Sequence, residues 1–214
     1  AGAGKTTAIE HRIVRLVQER VFEAKRILAT TFNTKNASEL KSRLARWPGC
    51  EVVSVSTLNA LGHSIIQEAF GLGLLPDLQK QAFESVDVAT ETIFAKTKLL
   101  AYERKVPYVD ELDSLDRDDF LTYVSKCKGN LCYPDLASLV LPTGLQRFVS
   151  QADVPKSFPW YLDLYKLYEQ TRKTLGLFTF DDQLLLGWEL LASNDTIRQR
   201  FQQRYDCLLV DEFQ

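Results

Sequence analysis

Methionine is absent from all 214 residues, and the chain opens on Ala1. A full-length gene product of this size normally carries several, so the expectation is a segment of a longer protein. Cysteine is scarce too: Cys50, Cys127, Cys132 and Cys207. Only Cys127 and Cys132 are close, and C-x₄-C with no partnering His or Cys is poor zinc spacing. Free thiols of a reducing compartment are the expectation. No signal-peptide pattern occurs and no apolar run approaches the roughly 20 residues of a membrane helix. Membrane association is therefore not expected, and a cytoplasmic location is. An excess of positive charge is also missing. The net charge is −2, which argues against a nucleic-acid binder that is basic throughout. What charge there is falls unevenly. Residues 1–70 carry ten Lys/Arg against six Asp/Glu, and the remainder carries sixteen against twenty-two. A nucleic-acid surface would belong to the first third. At 45% hydrophobic, the chain has enough apolar residues to bury a sizeable core.

The most informative stretch comes first, Ala1-Gly2-Ala3-Gly4-Lys5-Thr6-Thr7. Gly2-x-Gly4-Lys5-Thr6 is the back half of a phosphate-binding loop, G-x-x-x-x-G-K-[ST], whose first glycine would precede Ala1. Glycines let backbone N–H groups turn toward a triphosphate with no Cβ in the way. Lys5 reaches the β- and γ-phosphates, and the Thr6 hydroxyl holds Mg²⁺. Gly2, Ala3, Gly4, Lys5, Thr6 and Thr7 are the nucleotide-binding candidates. A helix must start here so that its positive end faces the phosphates. Ile9, Ile13, Leu16, Val17 and Val21 recur at helical spacing.

Further along, residues 25–32 read as a buried strand, 33–36 as a polar turn and 37–46 as a helix ended by Pro48-Gly49. Residues 51–56 read as a second strand. Thr57 is placed to cap a helix over 58–70. Strand and helix alternating after a phosphate loop predict an α/β fold with a parallel sheet. The rhythm then breaks. Residues 82–104, 120–126 and 159–175 read as helices, with an acidic segment over 110–119 and a turn at 128–130. The sheet pattern returns with helices over 181–191 and 197–204 and a buried strand over 205–210. About a hundred helical residues is too long for a crossover. Residues 71–176 are thus read as an inserted helical subdomain between 1–70 and 177–214.

The last strand delivers Asp211-Glu212-Phe213-Gln214, a Walker B arrangement at the edge where parallel sheets bind ligands. Asp211 would hold Mg²⁺. Glu212 would orient and deprotonate the attacking water. Gln214 would sense the γ-phosphate. With Lys5 these form the catalytic set, and Thr6 and Asp211 form the metal set.

Taken together, these motifs resemble the first motor domain of a UvrD/Rep/PcrA-type superfamily 1 DNA helicase. AGAGKTT is similar to motif I, residues 29–44 (ATTFNTKNASELKSRL) to motif Ia, residues 55–66 (VSTLNALGHSII) to motif Ib, residues 178–191 to the family's DFDDLL segment, and residues 208–214 (LLVDEFQ) to motif II. The matches fall in family order from end to end. The resemblance implies a RecA-like P-loop NTPase sheet (1–70 and 177–214) with an inserted helical subdomain (71–176). It implies ATP and Mg²⁺ as cofactors, 3′ to 5′ movement on single-stranded DNA with unwinding at duplex junctions, and a second RecA-like motor domain as partner. A nucleoid-associated location follows from the same resemblance. Phe32, Asn33 and Thr57 would contact DNA, Phe32 by stacking on a base. Phe32 as a buried strand end, Thr57 as a helix cap only, and Asp181 and Asp182 as capping acids are the structural alternatives. The sequence departs from the family at Thr7, where several members have arginine, and at Leu58-Asn59, where they have Phe-His. The segment alone is expected to bind nucleotide weakly and hydrolyse it negligibly. Two competing readings are a P-loop kinase or switch whose insert is a lid, with no DNA dependence, and a nonmotor remnant that docks on a partner.

Overall fold

The computed structural model describes residues 4–139 and 141–211, without the side chain of Lys5. The helices are α1 (Lys5–Gln18), α2 (Thr34–Leu44), α3 (Leu58–Gly71), α4 (Val86–Glu103), α5 (Arg117–Gly129), α6 (Tyr161–Leu175), α7 (Phe180–Ser193) and α8 (Asp195–Arg204). The strands are β1 (Ile27–Thr31), β2 (Ser54–Thr57), β3 (Cys132–Tyr133), β4 (Ser150–Gln151) and β5 (Cys207–Val210). The chain divides into two compact units. Residues 1–61 and 195–214 form a sheet unit, and 62–194 a helical unit.

In the sheet unit the strand order is β2-β1-β5, all parallel, with Thr31 opposite Thr57 and Thr30 opposite Val210. The first and last thirds of the sequence therefore build one sheet. β1 is central and buried at every residue, as its apolar run predicts. Ile13 and Val14 of α1 and Leu40 and Leu44 of α2 pack with Ile27 and Ala29, while Val55, Cys207 and Leu209 sit against the margin of that core.

The β5 strand departs from the expected burial. Its side chains alternate, and Leu208 and Val210 are exposed. Among the described strands β5 is an edge strand, so only the face carrying Cys207 and Leu209 meets the core. β2 is shorter than the expected 51–56 strand. Cys50 accepts from the Val53 N–H at 3.2 Å in a turn, which leaves Val52 exposed. Conversely, α2 begins at Thr34 and not at residue 37, because the Asn33 side chain accepts from the Asn36 N–H at 2.8 Å and starts the helix early.

The helical unit is built on aromatics. Phe120 stands edge-on to Tyr161 at 5.3 Å, and Tyr161, Leu164, Tyr165 and Tyr168 line the buried face of α6. Leu164, Leu167 and Tyr168 are buried as their spacing predicts, with Trp160 half-buried beside them. The short parallel pair β3–β4 was not legible in the sequence, because two residues carry no periodicity. Of residues 128–130, expected as a turn, Asn130 forms one while Lys128 and Gly129 close α5. Lys128 lies in the last turn of α5, and its side chain is 1% exposed. It contacts Asp182 at 2.7 Å and Glu169 at 2.8 Å. α3 and α7 meet through Gly62 and Gly187. A Cβ on Gly62 would lie 2.0 Å from the Gln183 carbonyl oxygen, so no larger residue fits.

Candidate nucleotide and nucleic-acid site

Three strand ends lie along the C-terminal edge of the sheet unit. Phe32 follows β1, Thr57 closes β2 and Asp211 follows β5. The Asp211 N–H donates to the Thr30 carbonyl at 2.8 Å, extending the β1–β5 ladder by one residue and fixing where the carboxylate emerges. Asp211 is buried.

Opposite it stands the start of α1. Gly4 is the N-cap, no side chain caps the helix and no acidic residue lies in its first turn. A helix with those features leaves its first N–H groups and its positive dipole end without a capping side chain, and that suits an anion. Thr6 Oγ1 donates to Asp211 Oδ2 at 3.4 Å. Residues 205 positions apart are thus neighbours. Two oxygen donors of the kind Mg²⁺ prefers sit together. That fits Mg²⁺, which keeps several waters and binds through one or two protein oxygens plus substrate phosphate.

Not every expected residue can be placed. Gly2, Ala3, Glu212 and Gln214 lie outside the described residues. So does the Lys5 side chain, although Lys5 opens α1. Thr7 is held from α2, with Arg43 Nη1 donating to its Oγ1 at 3.2 Å.

At the neighbouring strand ends, Phe32 is 75% exposed and is not a buried strand end. Asn33 is committed to α2 through its side chain, and Thr31 Oγ1 donates to its carbonyl at 3.0 Å. Thr57 is buried, and its Oγ1 accepts from the Ala60 N–H at 3.1 Å at the start of α3. It therefore caps the helix. A hydroxyl that accepts this way retains its proton for a further acceptor. The buried Thr30 and Ser56 hydroxyls on adjoining strands have no hydrogen-bond partner among the described residues.

The acids of the 178–191 segment belong to the helical unit. Thr179 caps α7 in a capping box with Asp182. Burial alone would raise the Asp182 pKa, but Arg172 and Lys128 outweigh it and hold the carboxyl down at about 2. Asp181 accepts from Ser125 Oγ at 3.1 Å. Both acids are thus committed to helix packing, in keeping with the structural alternative.

Sequence reasoning missed two groups. One is the α1–α2 cluster of Thr7, Glu10, Arg43 and Trp47, in which Trp47 Nε1 donates to Glu10 Oε1 at 2.9 Å. The other is the buried network of Lys128, Glu169, Arg172 and Asp182. A lone Lys or Arg on a helix has no local signature of burial, so although Thr7 and Asp182 stood out in the sequence, nothing there marked the partners that hold them.

The geometry agrees with comparison to known proteins. A model of the UvrD/REP helicase N-terminal domain matches residues 1–214. The ATP-dependent DNA helicase Rep of Salmonella typhimurium is 28% identical over 218 residues, covering all of this chain and 29% of that protein. Rep of Escherichia coli is 28% identical over 219 residues, with the same coverage. The ATP-dependent DNA helicase PcrA of Leuconostoc citreum is 27% identical over 220 residues, again across the whole chain and 26% of that protein. The chain spans under a third of the length of these curated relatives.

Proposed function

The chain belongs to the UvrD/REP helicase N-terminal domain family, and on that premise we propose that it is the nucleotide-binding part of a DNA-translocating ATPase. The observation that carries this reading is the 3.4 Å approach of Thr6 Oγ1 to Asp211 Oδ2, across nearly the whole length of the chain. In this reading residues 1–70 and 177–214 form the motor domain and 71–176 the inserted subdomain.

Thr6 and Asp211 would hold Mg²⁺, which when bound would supply charge neutralisation at the phosphates of ATP. Gly2, Ala3, Gly4 and Thr7 shape the loop around the phosphates, and Lys5 pairs with them. Glu212 takes the proton of the attacking water, and Gln214 reads the γ-phosphate. Phe32 stacks on a base of single-stranded DNA, while Asn33 and Thr57 steady the backbone beside it. A second RecA-like motor domain closes on the nucleotide. Hydrolysis reopens the cleft, and alternating DNA contacts give steps in the 3′ to 5′ direction, with unwinding at duplex junctions.

The kinase or switch reading is not favoured. The relatives that match over the whole chain are named ATP-dependent DNA helicases. The test is the full-length protein carrying Lys5→Ala. ATPase activity stimulated by single-stranded DNA should disappear while the fold is kept. Stimulated turnover at the wild-type rate in that variant would overturn the proposal.

A further inference from the structure

Helix α2 has two functional ends. Exposed Phe32 and the capping residue Asn33 sit at its start, and Arg43 lies in its last turn. The Arg43 guanidinium reaches back to α1. Nη1 donates to Thr7 Oγ1 at 3.2 Å and to Glu10 Oε2 at 3.5 Å, and Nη2 donates to Glu39 Oε1 at 2.5 Å. The other Glu10 oxygen accepts from Trp47 Nε1 at 2.9 Å, and the Trp47 ring stands edge-on to His11 with centroids 6.0 Å apart.

We infer that Arg43 is a positioning residue that ties the DNA-facing start of α2 to the phosphate-loop helix α1, linking nucleic-acid occupancy to nucleotide affinity. This rests on the function proposed above. The apolar contact between the helices, through Ile13, Leu40 and Leu44, is non-directional and does not by itself fix how α2 slides along α1. The guanidinium fork does. It holds two acceptors on α1, Thr7 and Glu10, while Glu39 of α2 itself braces its other nitrogen, and Glu10 is gripped from both sides. Thr7 directly follows Thr6, whose hydroxyl faces Asp211. A displacement of the first turn of α1 therefore moves Thr6 and Thr7 together. An α-helix of eleven residues behaves as a rod about 16 Å long, so a shift imposed at Phe32 and Asn33 is delivered at Arg43. Lysine cannot replace this fork, because a point ammonium lacks the fixed set of donors that a guanidinium presents to several acceptors at once.

Coupling of this kind is reciprocal, which gives the test a readout that a merely structural role would not move. In the full-length protein, steady-state ATPase is measured against ATP concentration with and without saturating oligothymidylate. Oligothymidylate affinity is measured with and without a non-hydrolysable ATP analogue. Arg43→Ala should raise the KM for ATP in the presence of DNA about five- to tenfold, the lower end of the coupling typical between two sites. It should bring the analogue's effect on DNA affinity toward one, with kcat changed less than about twofold and DNA affinity without nucleotide unchanged. Arg43→Lys should follow it. Arg15→Ala removes an exposed pair with Glu19 at the far end of α1 and should change nothing.

Wild-type KM and coupling in Arg43→Ala would overturn the inference. So would a fall in kcat and melting temperature with the coupling ratio intact. Trp47→Phe deletes only the donor to Glu10 and should shift KM the same way by less. If Arg43→Ala does not fold, an unchanged Trp47→Phe overturns the inference. A wild-type protein whose ATPase ignores DNA overturns the proposed function itself and this coupling with it, so the wild-type control tells the two failures apart.

Discussion

Replacing Lys128 by Met should destabilise the helical unit more than any surface change can. The ammonium is 1% exposed and lies 2.7 Å from Asp182 and 2.8 Å from Glu169. It also sits over the Tyr168 ring, 5.4 Å from the centroid. Burial alone would lower its pKa, but Asp182 and Glu169 together raise it, so the lysine is charged. Methionine fills a similar volume, so the loss is electrostatic and not a cavity. Removing one member of a buried ion pair typically costs about 3–5 kcal/mol, because the remaining charge is left uncompensated. Here Arg172 stays behind, 2.9 Å from Glu169 and 3.5 Å from Asp182, which places the expected loss at the lower end, about 3 kcal/mol. A urea m-value of roughly 2 kcal/mol/M turns that into a midpoint shift of about 1.5 M. Aromatic fluorescence of the helical unit reports the transition. Adding Glu169→Gln removes one orphaned carboxylate, and the double variant should recover at least about 1 kcal/mol of coupling. A midpoint for Lys128→Met within about 0.3 M of wild type would show that the network carries no net stabilisation, and the reasoning would fail.

Gly62→Ala should cost about 3 kcal/mol, since its Cβ would lie 2.0 Å from the Gln183 carbonyl oxygen and 2.7 Å from the carbonyl carbon. Thermal unfolding checks this, and an unchanged melting temperature would mean that α3 and α7 pack less closely than described. Acid stability should depend on Asp182. Its folded pKa lies below its unfolded one, so its contribution is present above about pH 4 and is lost as pH falls toward about 2. Asp182→Asn should therefore flatten the acid limb of stability against pH while lowering stability at pH 7. Glu189 works the other way. Burial raises its pKa, so its contribution is present at low pH and fades as pH rises through the folded value. Phe32→Ala, at an exposed position, should weaken binding of single-stranded DNA to the full-length protein about tenfold with no loss of melting temperature. Unchanged affinity by fluorescence anisotropy would remove Phe32 from the proposed interface.

What the sequence determined was whatever is local. Gly4-Lys5-Thr6 before an apolar helical stripe, Asn33 before α2, Thr57 before α3 and Thr179 with Asp182 each encode a turn or a cap within a few residues. The alternation of strand and helix fixed the parallel α/β class, and Asp211 after an apolar strand placed a carboxylate at the sheet edge. Tertiary structure decided which distant groups meet. Thr6 faces Asp211 across 205 positions, Arg43 reaches Thr7 across 36 and Lys128 finds Asp182 across 54. Hydrogen-bond and ion-pair partners of this kind depend on how helices cross and strands order, and a single lysine, arginine or glycine reads the same whether buried or exposed. For the same reason the exposure of Leu208 and Val210 was not legible. An apolar strand looks alike whether both its faces are covered or one, and only its place at the edge of the described sheet distinguishes the two.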